Sequence, residues 1–243
     1  MKLIVNFDSR EHRNSPQTPR ARGARGGGNT EQTGKVQEEQ RMLTELIQEL
    51  EQDHQDLHEQ DIYLLINGVS WQYYETLIDK LGNQGSLRLT YWNGVLEIVS
   101  PSRRHEGIKK RIATLLEVYF EERNIEYFPL GSTTLRLQEQ RGGSEPDESY
   151  CIITEKEIPD LVIEVILTSG GVNKLEIYQR LNVPEVWFWQ NNQLSIYGLQ
   201  NQHYQKIDQS LLLPELDLEL LQQFILYPQQ LAAIQTFRQQ LRR

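Results

Sequence analysis

A single cysteine, Cys151, stands in 243 residues, so no disulfide can close within the chain, and a reducing compartment suits it. Long apolar runs are missing too: none approaches the ~20 residues that a membrane-spanning helix needs. The opening stretch Met1–Phe7 is too short for a secretory signal, and no small-residue cleavage site follows it. These absences point to a cytoplasmic protein. An excess of basic charge is lacking as well, with 25 Lys and Arg against 34 Asp and Glu and a net charge of −9. That balance argues mildly against a surface built throughout for nucleic acid.

The charge that is present is unevenly spread. Residues 1–35 carry seven Lys and Arg against three acids, residues 36–61 one against nine, and the remainder is left at −5. Residues 1–35, rich in Arg, Gly and Gln around Ala21–Gly28, bury too little apolar surface to offset the entropy of ordering. They are expected to form a disordered basic leader, either an RNA-contacting arginine tail or a dispensable segment. In the second case Met42 is another candidate start. Residues 36–61 are expected to be an acidic helical extension, with Met42, Leu43, Leu46, Ile47 and Leu50 on one thin apolar stripe. Residues 62–243 are enough for a domain with its own core.

Within that domain Ser70 is placed to cap a helix whose inner face carries Trp71, Tyr74, Leu77, Ile78 and Leu81. Asn93-Gly94 joins Leu87–Trp92 to Val95–Val99 as a hairpin. Glu106–Arg123 has the period of a long amphipathic helix, with Ile108, Ile112, Leu115, Leu116 and Tyr119 inward. Strands are expected at Ile125–Phe128, Thr133–Leu137, Asp147–Ile153 and Leu161–Leu167. The helix Lys174–Leu181 then leads to a strand at Pro184–Trp189, a connection that suits a parallel βαβ crossover. Leu194–Leu199 and Tyr204–Ile207 extend the sheet, and Pro228–Arg243 closes the chain as a helix. The expected class is α/β (α+β), a mixed sheet flanked by helices.

The chemistry concentrates on Glu164, an acid inside Leu161–Leu167, a run otherwise apolar on both faces. An ionised carboxylate there costs several kcal/mol unless something compensates it. The polar turn Thr154–Glu157 sets an antiparallel register that puts Asp147 directly opposite Glu164, with Cβ atoms about 4.5–5.5 Å apart. Two acids that close repel each other unless a cation lies between them, and hard oxygen donors favour Mg²⁺ or Mn²⁺. Asp160, on the same strand face by alternation, is the rival partner, although an Asp after Pro159 is also an ordinary turn residue.

Thr168–Gly171 forms a loop into the helix that opens with Lys174, where a cation opposes the helix dipole and so asks for a reason. Its glycines serve either a tight connection or an anion site. His105 and Glu106 start the long helix. Glu106 is either a dipole-favoured residue or an extra acid for a metal, and His105 either packs and caps or ligates. Glu97 is expected to face outward from its strand. Arg103, Arg104, Lys109, Lys110 and Arg111 form either a DNA-contacting cluster or a solvated helix face. Trp187, Phe188 and Trp189 alternate as core residues of a central strand, in preference to base-stacking platforms.

Glu145-Pro146-Asp147, Pro159-Asp160-Leu161-Val162-Ile163-Glu164-Val165, Lys174-Leu175-Glu176-Ile177-Tyr178 and Val183-Pro184-Glu185-Val186-Trp187 follow one another in the order of a known family. With Val69-Ser70-Trp71, Leu96–Ser102 and His105-Glu106 upstream, residues 62–240 resemble a bacterial family of restriction-endonuclease-like proteins in the PD-(D/E)XK nuclease superfamily. The resemblance implies a restriction-endonuclease-like fold, Asp147 and Glu164 as metal ligands, and a catalytic set of Asp147, Glu164 and Lys174. The superfamily places its lysine two residues after the second acid. Here that position is Ile166, and Lys174 on the following helix is the match. The expectation is a Mg²⁺- or Mn²⁺-dependent endonuclease acting on DNA, with a homodimer as the natural way to cut two strands. A catalytically inactive nuclease fold used for binding or assembly is the alternative.

Overall fold

The protein is described by a computed structural model at residues 2–6, 41, 44, 45, 47, 60–81, 87–137, 141–167 and 172–243. In chain order the elements begin with β1 (Lys2–Asn6), β2 (Ile62–Asn67), α1 (Trp71–Leu81), β3 (Arg88–Trp92), β4 (Val95–Ser100), α2 (Arg103–Arg123), β5 (Tyr127–Pro129), β6 (Leu135–Leu137) and β7 (Gly142–Ser144). They continue with β8 (Glu148–Ile152), β9 (Leu161–Ile166), α3 (Lys174–Arg180), β10 (Glu185–Gln190), β11 (Gln193–Gln200), β12 (His203–Ile207), α4 (Leu218–Ile225) and α5 (Gln230–Leu241). This is an α/β protein.

The strands form two mixed six-stranded sheets, ordered β1-β2-β4-β3-β7-β6 and β12-β11-β10-β9-β8-β5. The alternation of each strand is readable in the sequence, but the division into two sheets is not. The β3–β4 hairpin turns at Asn93 (φ 49°) and Gly94 (φ 83°), the doubly left-handed turn whose twist matches its strands. In the second sheet β9 and β10 are parallel around α3, as the crossover predicts. β8 and β9 pair as Glu148↔Ile163, Ser149↔Val162 and Tyr150↔Leu161, the register expected from the turn.

Several expectations are corrected. Lys2–Asn6, assigned to a disordered leader, is a strand parallel to β2, from Lys2↔Tyr63 to Asn6↔Asn67. Residues 8–35, the rest of that leader, lie outside the described residues. Of the acidic extension, Arg41, Thr44, Glu45 and Ile47 are helical, and Ile47 is buried against α1. The long helix starts at Arg103, because Ser102 caps it by accepting the His105 N–H at 3.2 Å. α4 was not expected from the sequence. It is short, and Asp217 caps it through the Leu220 N–H at 2.9 Å.

The largest core lies where α2, α4 and α5 cover one face of the second sheet, around Phe120, Trp187, Trp189 and Phe237. α1 covers the first sheet, with Tyr74 and Tyr91 stacked at 5.0 Å between centroids. α3 covers the other face of the second sheet with Ile177, Tyr178 and Leu181. The trio on β10 divides as alternation demands: Trp187 and Trp189 are buried in the main core, while Phe188 points to the α3 side.

Candidate active site

Ile163 and Val165 of β9 pack into the main core, so Glu164 between them emerges on the α3 face beside Val162. It is fully buried. Both of its oxygens are held from a single helix. Lys174 Nζ donates to Oε2 at 2.7 Å, and the Tyr178 hydroxyl donates a very short hydrogen bond to Oε1. Lys174 and Tyr178 are four residues apart and therefore neighbours on α3. The Tyr178 oxygen also lies 3.1 Å from Ser144 Oγ, which is 3.2 Å from Thr90 Oγ1.

Asp147 occupies the link Glu145-Pro146-Asp147, by which the chain leaves β7 in the first sheet and enters β8 in the second. Its Oδ2 accepts the Val165 N–H at 2.7 Å. Its Oδ1 lies 3.0 Å from His105 Nε2, an ion-pair distance at which the N–H is out of line for a hydrogen bond. His105 Nδ1 lies 3.0 Å from Asp61 Oδ2, and Asp61 Oδ1 accepts the Ser102 N–H at 2.7 Å. Asp61, His105 and Asp147 thus form a buried chain from the start of β2, across the first turn of α2, to the inter-sheet link.

The electrostatics follow from burial and sign. Burial pushes the Glu164 carboxyl up to about 7, against the opposing charge of Lys174 and with the help of Asp147. Burial also works against Asp147, but the charge of His105 beside it, then that of Lys174, holds it down at about 2. His105 would lose its proton on burial alone, yet Asp147 and Asp61 keep it, raising it to about 9. Desolvation likewise disfavours the Lys174 ammonium, and Glu164, Asp147 and Glu97 hold it protonated, well above its ordinary value.

A cavity of about 320 Å³ opens beside these groups, lined among others by Asp147, His105, Glu97, Lys174, Arg88 and Phe188. Glu164 lies behind Lys174. Among the described residues, no three His, Cys, Asp or Glu side chains stand grouped to hold a metal ion. In kind, however, the donors suit a hard divalent cation: paired carboxylates in a dry site, one of them kept near its neutral form for want of sufficient positive charge.

The structure therefore brings together Asp147, Glu164, Lys174 and His105. Asp160 stands apart, accepting the Ile152 N–H at 2.8 Å and pairing with Lys156 at 2.6 Å, which makes it the tie that closes the β8–β9 turn. Glu106 is turned to Lys109, with which it pairs at 2.6 Å. Lys109, expected on the outer face of α2, is buried by that pairing. Arg103, Arg104 and Lys110 are exposed. Arg111 instead ties α2 to the C-terminal helices, donating to the Ile225 and Tyr227 carbonyls at 3.0 and 2.6 Å. Residues 168–171, including the loop glycines, lie outside the described residues.

Glu97 is the main correction. It is buried and faces the cavity, accepting the Val172 N–H at 3.2 Å, because the second sheet covers a β4 face expected to be solvated. Asp61 and Tyr178 were also missed. Only Tyr178 carried a readable signal, its spacing from Lys174.

A buried acid–acid–lysine constellation in a mixed α/β fold defines the class. The sequence matches the Uma2 family, described as a putative restriction endonuclease, over residues 71–229, and the chain belongs to that family. Family membership points to a nuclease. No curated protein matches the chain. No helix among the described residues is long and apolar enough to cross a membrane.

Proposed function

We propose that the protein is a Mg²⁺-dependent endonuclease, with Mn²⁺ as the natural substitute, that hydrolyses phosphodiester bonds of DNA. The observation that carries this reading is the convergence of Asp147 and Lys174 at the wall of one cavity, with Glu164 bound to Lys174 behind it. Asp147 and Glu164, with the Val165 carbonyl, are the groups that would hold the metal. A divalent ion bound there would supply Lewis acidity and lower the pKa of an attacking water. Lys174, released from Glu164, would neutralise charge growing on the phosphoryl oxygens. His105, itself held by Asp61, keeps Asp147 ionised and oriented. Phe188 and Val99 give the cavity apolar walls that limit water. Arg103, Arg104 and Lys110 surround the start of α2, the helix that delivers His105, and are the candidate DNA contacts. Cutting both strands of a duplex would call for a two-fold dimer.

A second reading, a nuclease fold kept for binding or assembly, draws on a specific feature. All four oxygens of the acid pair already have internal partners. Plasmid cleavage in Mg²⁺ and Mn²⁺ by wild type and Glu164→Ala decides between them, with circular dichroism to verify folding. Metal-dependent cleavage lost in a folded variant supports the enzyme. Equal cleavage by the two proteins defeats the assigned site, and DNA retention without cleavage by either favours the binding module.

A further inference from the structure

We propose that Arg88 binds a backbone phosphate of the nucleic acid that neighbours the scissile one, an inference that rests on the nuclease reading above. Arg88 lies on β3, paired with Val99 of β4, and its side chain is 14% exposed. Its guanidinium is poorly matched by the protein. Nη1 donates to the Leu87 carbonyl at 3.3 Å, Nη2 stands 3.8 Å from Glu106 Oε1, and Nε is buried without a partner. The Glu106 contact is too long for a hydrogen bond, and the other oxygen of Glu106 is held closely by Lys109 at 2.6 Å.

A guanidinium carries five N–H donors, and burying them unspent is costly. Among the described residues six buried side-chain nitrogen or oxygen atoms lack a hydrogen-bond partner. Only two of them, Arg88 Nε and His105 Nε2, belong to residues that line either of the two cavities discussed here. The His105 atom already faces Asp147. Arg88 is left as the cavity residue with a buried donor, Nε, that faces no acceptor.

Its position specifies the acceptor. Arg88 lines the 320 Å³ cavity that holds Asp147 and Lys174, and also a second cavity of about 210 Å³ lined by Ser132, Thr133, Thr134 and Glu145. One side chain thus forms the wall between the reacting centre and the space beside it. A planar fork of donors suits two oxygens of one phosphate. Glu145 does not spoil the second cavity for an anion: its oxygens accept the Leu89 N–H at 2.9 Å and the Thr134 hydroxyl at 2.8 Å, and burial raises its carboxyl toward the neutral form. The Thr133 and Thr134 hydroxyls are already spent on the Leu130 carbonyl and Glu145, and Ser132 adds a hydroxyl to the same wall. A polymer whose phosphates recur along its length can occupy both cavities at once, which a lone phosphate cannot.

The test uses the intact wild-type chain without divalent metal, so that nothing is cut. Arginine Nε–H resonances are followed while a deoxydinucleotide, the smallest piece of DNA that contains a phosphodiester, is added. The Arg88 signal is assigned by its loss in Arg88→Lys. A saturable shift of that signal is expected. In parallel, fluorescence anisotropy with a duplex oligonucleotide should show Arg88→Gln binding about tenfold more weakly. The slope of log affinity against log salt should also become shallower by about one ion. If other resonances move while Arg88's stays, or if the salt slope is unchanged, Arg88 is only a counter-ion of Glu106 and Glu145 and the inference is overturned with the nuclease reading intact. If neither probe binds and Glu164→Ala cuts like wild type, both fall together. Should the Arg88 variants fold poorly, the signal is assigned in the wild type by triple-resonance correlation of the Arg88 side chain to its own backbone amide, and the titration decides the matter.

Discussion

Glu164→Gln keeps the shape of the side chain and removes its charge, so it isolates what an acid costs inside β9. Burial raises this carboxyl from an ordinary 4.5 to about 7, even with Lys174 2.7 Å away. The folded chain therefore keeps a proton on Glu164 over a pH range in which the unfolded chain has released it. The sign follows from that. The Glu164 contribution to wild-type stability falls as pH rises from about 4.5 to about 7 and levels off above, the opposite of an ordinary salt-bridged acid. At ~1.4 kcal/mol for each pH unit, the loss amounts to about 3 kcal/mol. Glutamine carries no such term. His105 titrates in both proteins and drops out of their difference to first order. Urea unfolding of the two proteins at intervals from pH 5 to pH 8.5, a range that opens after part of the loss has occurred, should show the variant gaining on wild type by about 2.5 kcal/mol. A difference that stays flat, or turns against the variant at alkaline pH, would mean that the pairing with Lys174 outweighs desolvation. Glu164 would then be ionised throughout, and the account of the site as short of positive charge would fail.

Other outcomes follow from the same geometry. Lys174→Met should slow metal-dependent cleavage by ~10²-fold or more while calorimetry still detects Mn²⁺ binding; loss of metal binding equal to that of Glu164→Ala would contradict its role. His105 is raised to about 9 by Asp147 and Asp61, so the stability it contributes is complete below its unfolded value of about 6.5 and is lost as pH rises through 9. Asp61→Asn should move the His105 titration, followed by NMR, downward and cost ~3 kcal/mol in urea unfolding, as breaking a buried charge pair does; an unmoved His105 would refute the link. Asp160→Asn should cost ~1–3 kcal/mol through the β8–β9 turn and leave cleavage unchanged. Reduced cleavage at equal folding would return Asp160 to the site.

What the sequence made legible was local or periodic. Asn93-Gly94 specified a turn with two positive φ angles, and the polar turn Thr154–Glu157 specified the β8–β9 register. Lys174 drew notice because a cation in the first turn opposes the helix dipole, and the structure shows the compensating anion in Glu164. Asp160 and Glu164 share a strand face by alternation, so periodicity alone could not choose between them as partners for Asp147. The choice is made by the ends of the strand. Asp160 lies beside the turn, within reach of Lys156, and Glu164 lies under α3. Lys109 was misplaced because helical period assigns a face to a residue without regard to its length. Its long stem lies in a buried setting while its ammonium reaches the half-exposed Glu106.

Glu97 and Asp61 escaped prediction for one cause. Glu97 alternates with Leu96 and Ile98, which pack under α1, so a single-sheet reading sends Glu97 to solvent. The chain instead builds a second sheet and lays it across that face, and the inter-sheet link places Asp147 where the two meet. Tyr63, Arg88 and Glu97 line the cavity from the first sheet, and Asp147, Val165 and Phe188 from the second sheet and the link that enters it. Asp61 enters the same way, through an α2 residue, His105, that bridges from it to the link. Contacts between two sheets have no period in sequence, since their spacing is set by how the layers pack and not by either strand. The acid pair could be read because both members belong to one hairpin. Glu97, Asp61 and Arg88 were hidden because they arrive from the first sheet and the chain that enters it. For a site of this construction, a sequence can carry two signals, the cost of one buried acid and a cation placed against a helix dipole, and the groups contributed by the other sheet become visible only when the layers are brought together.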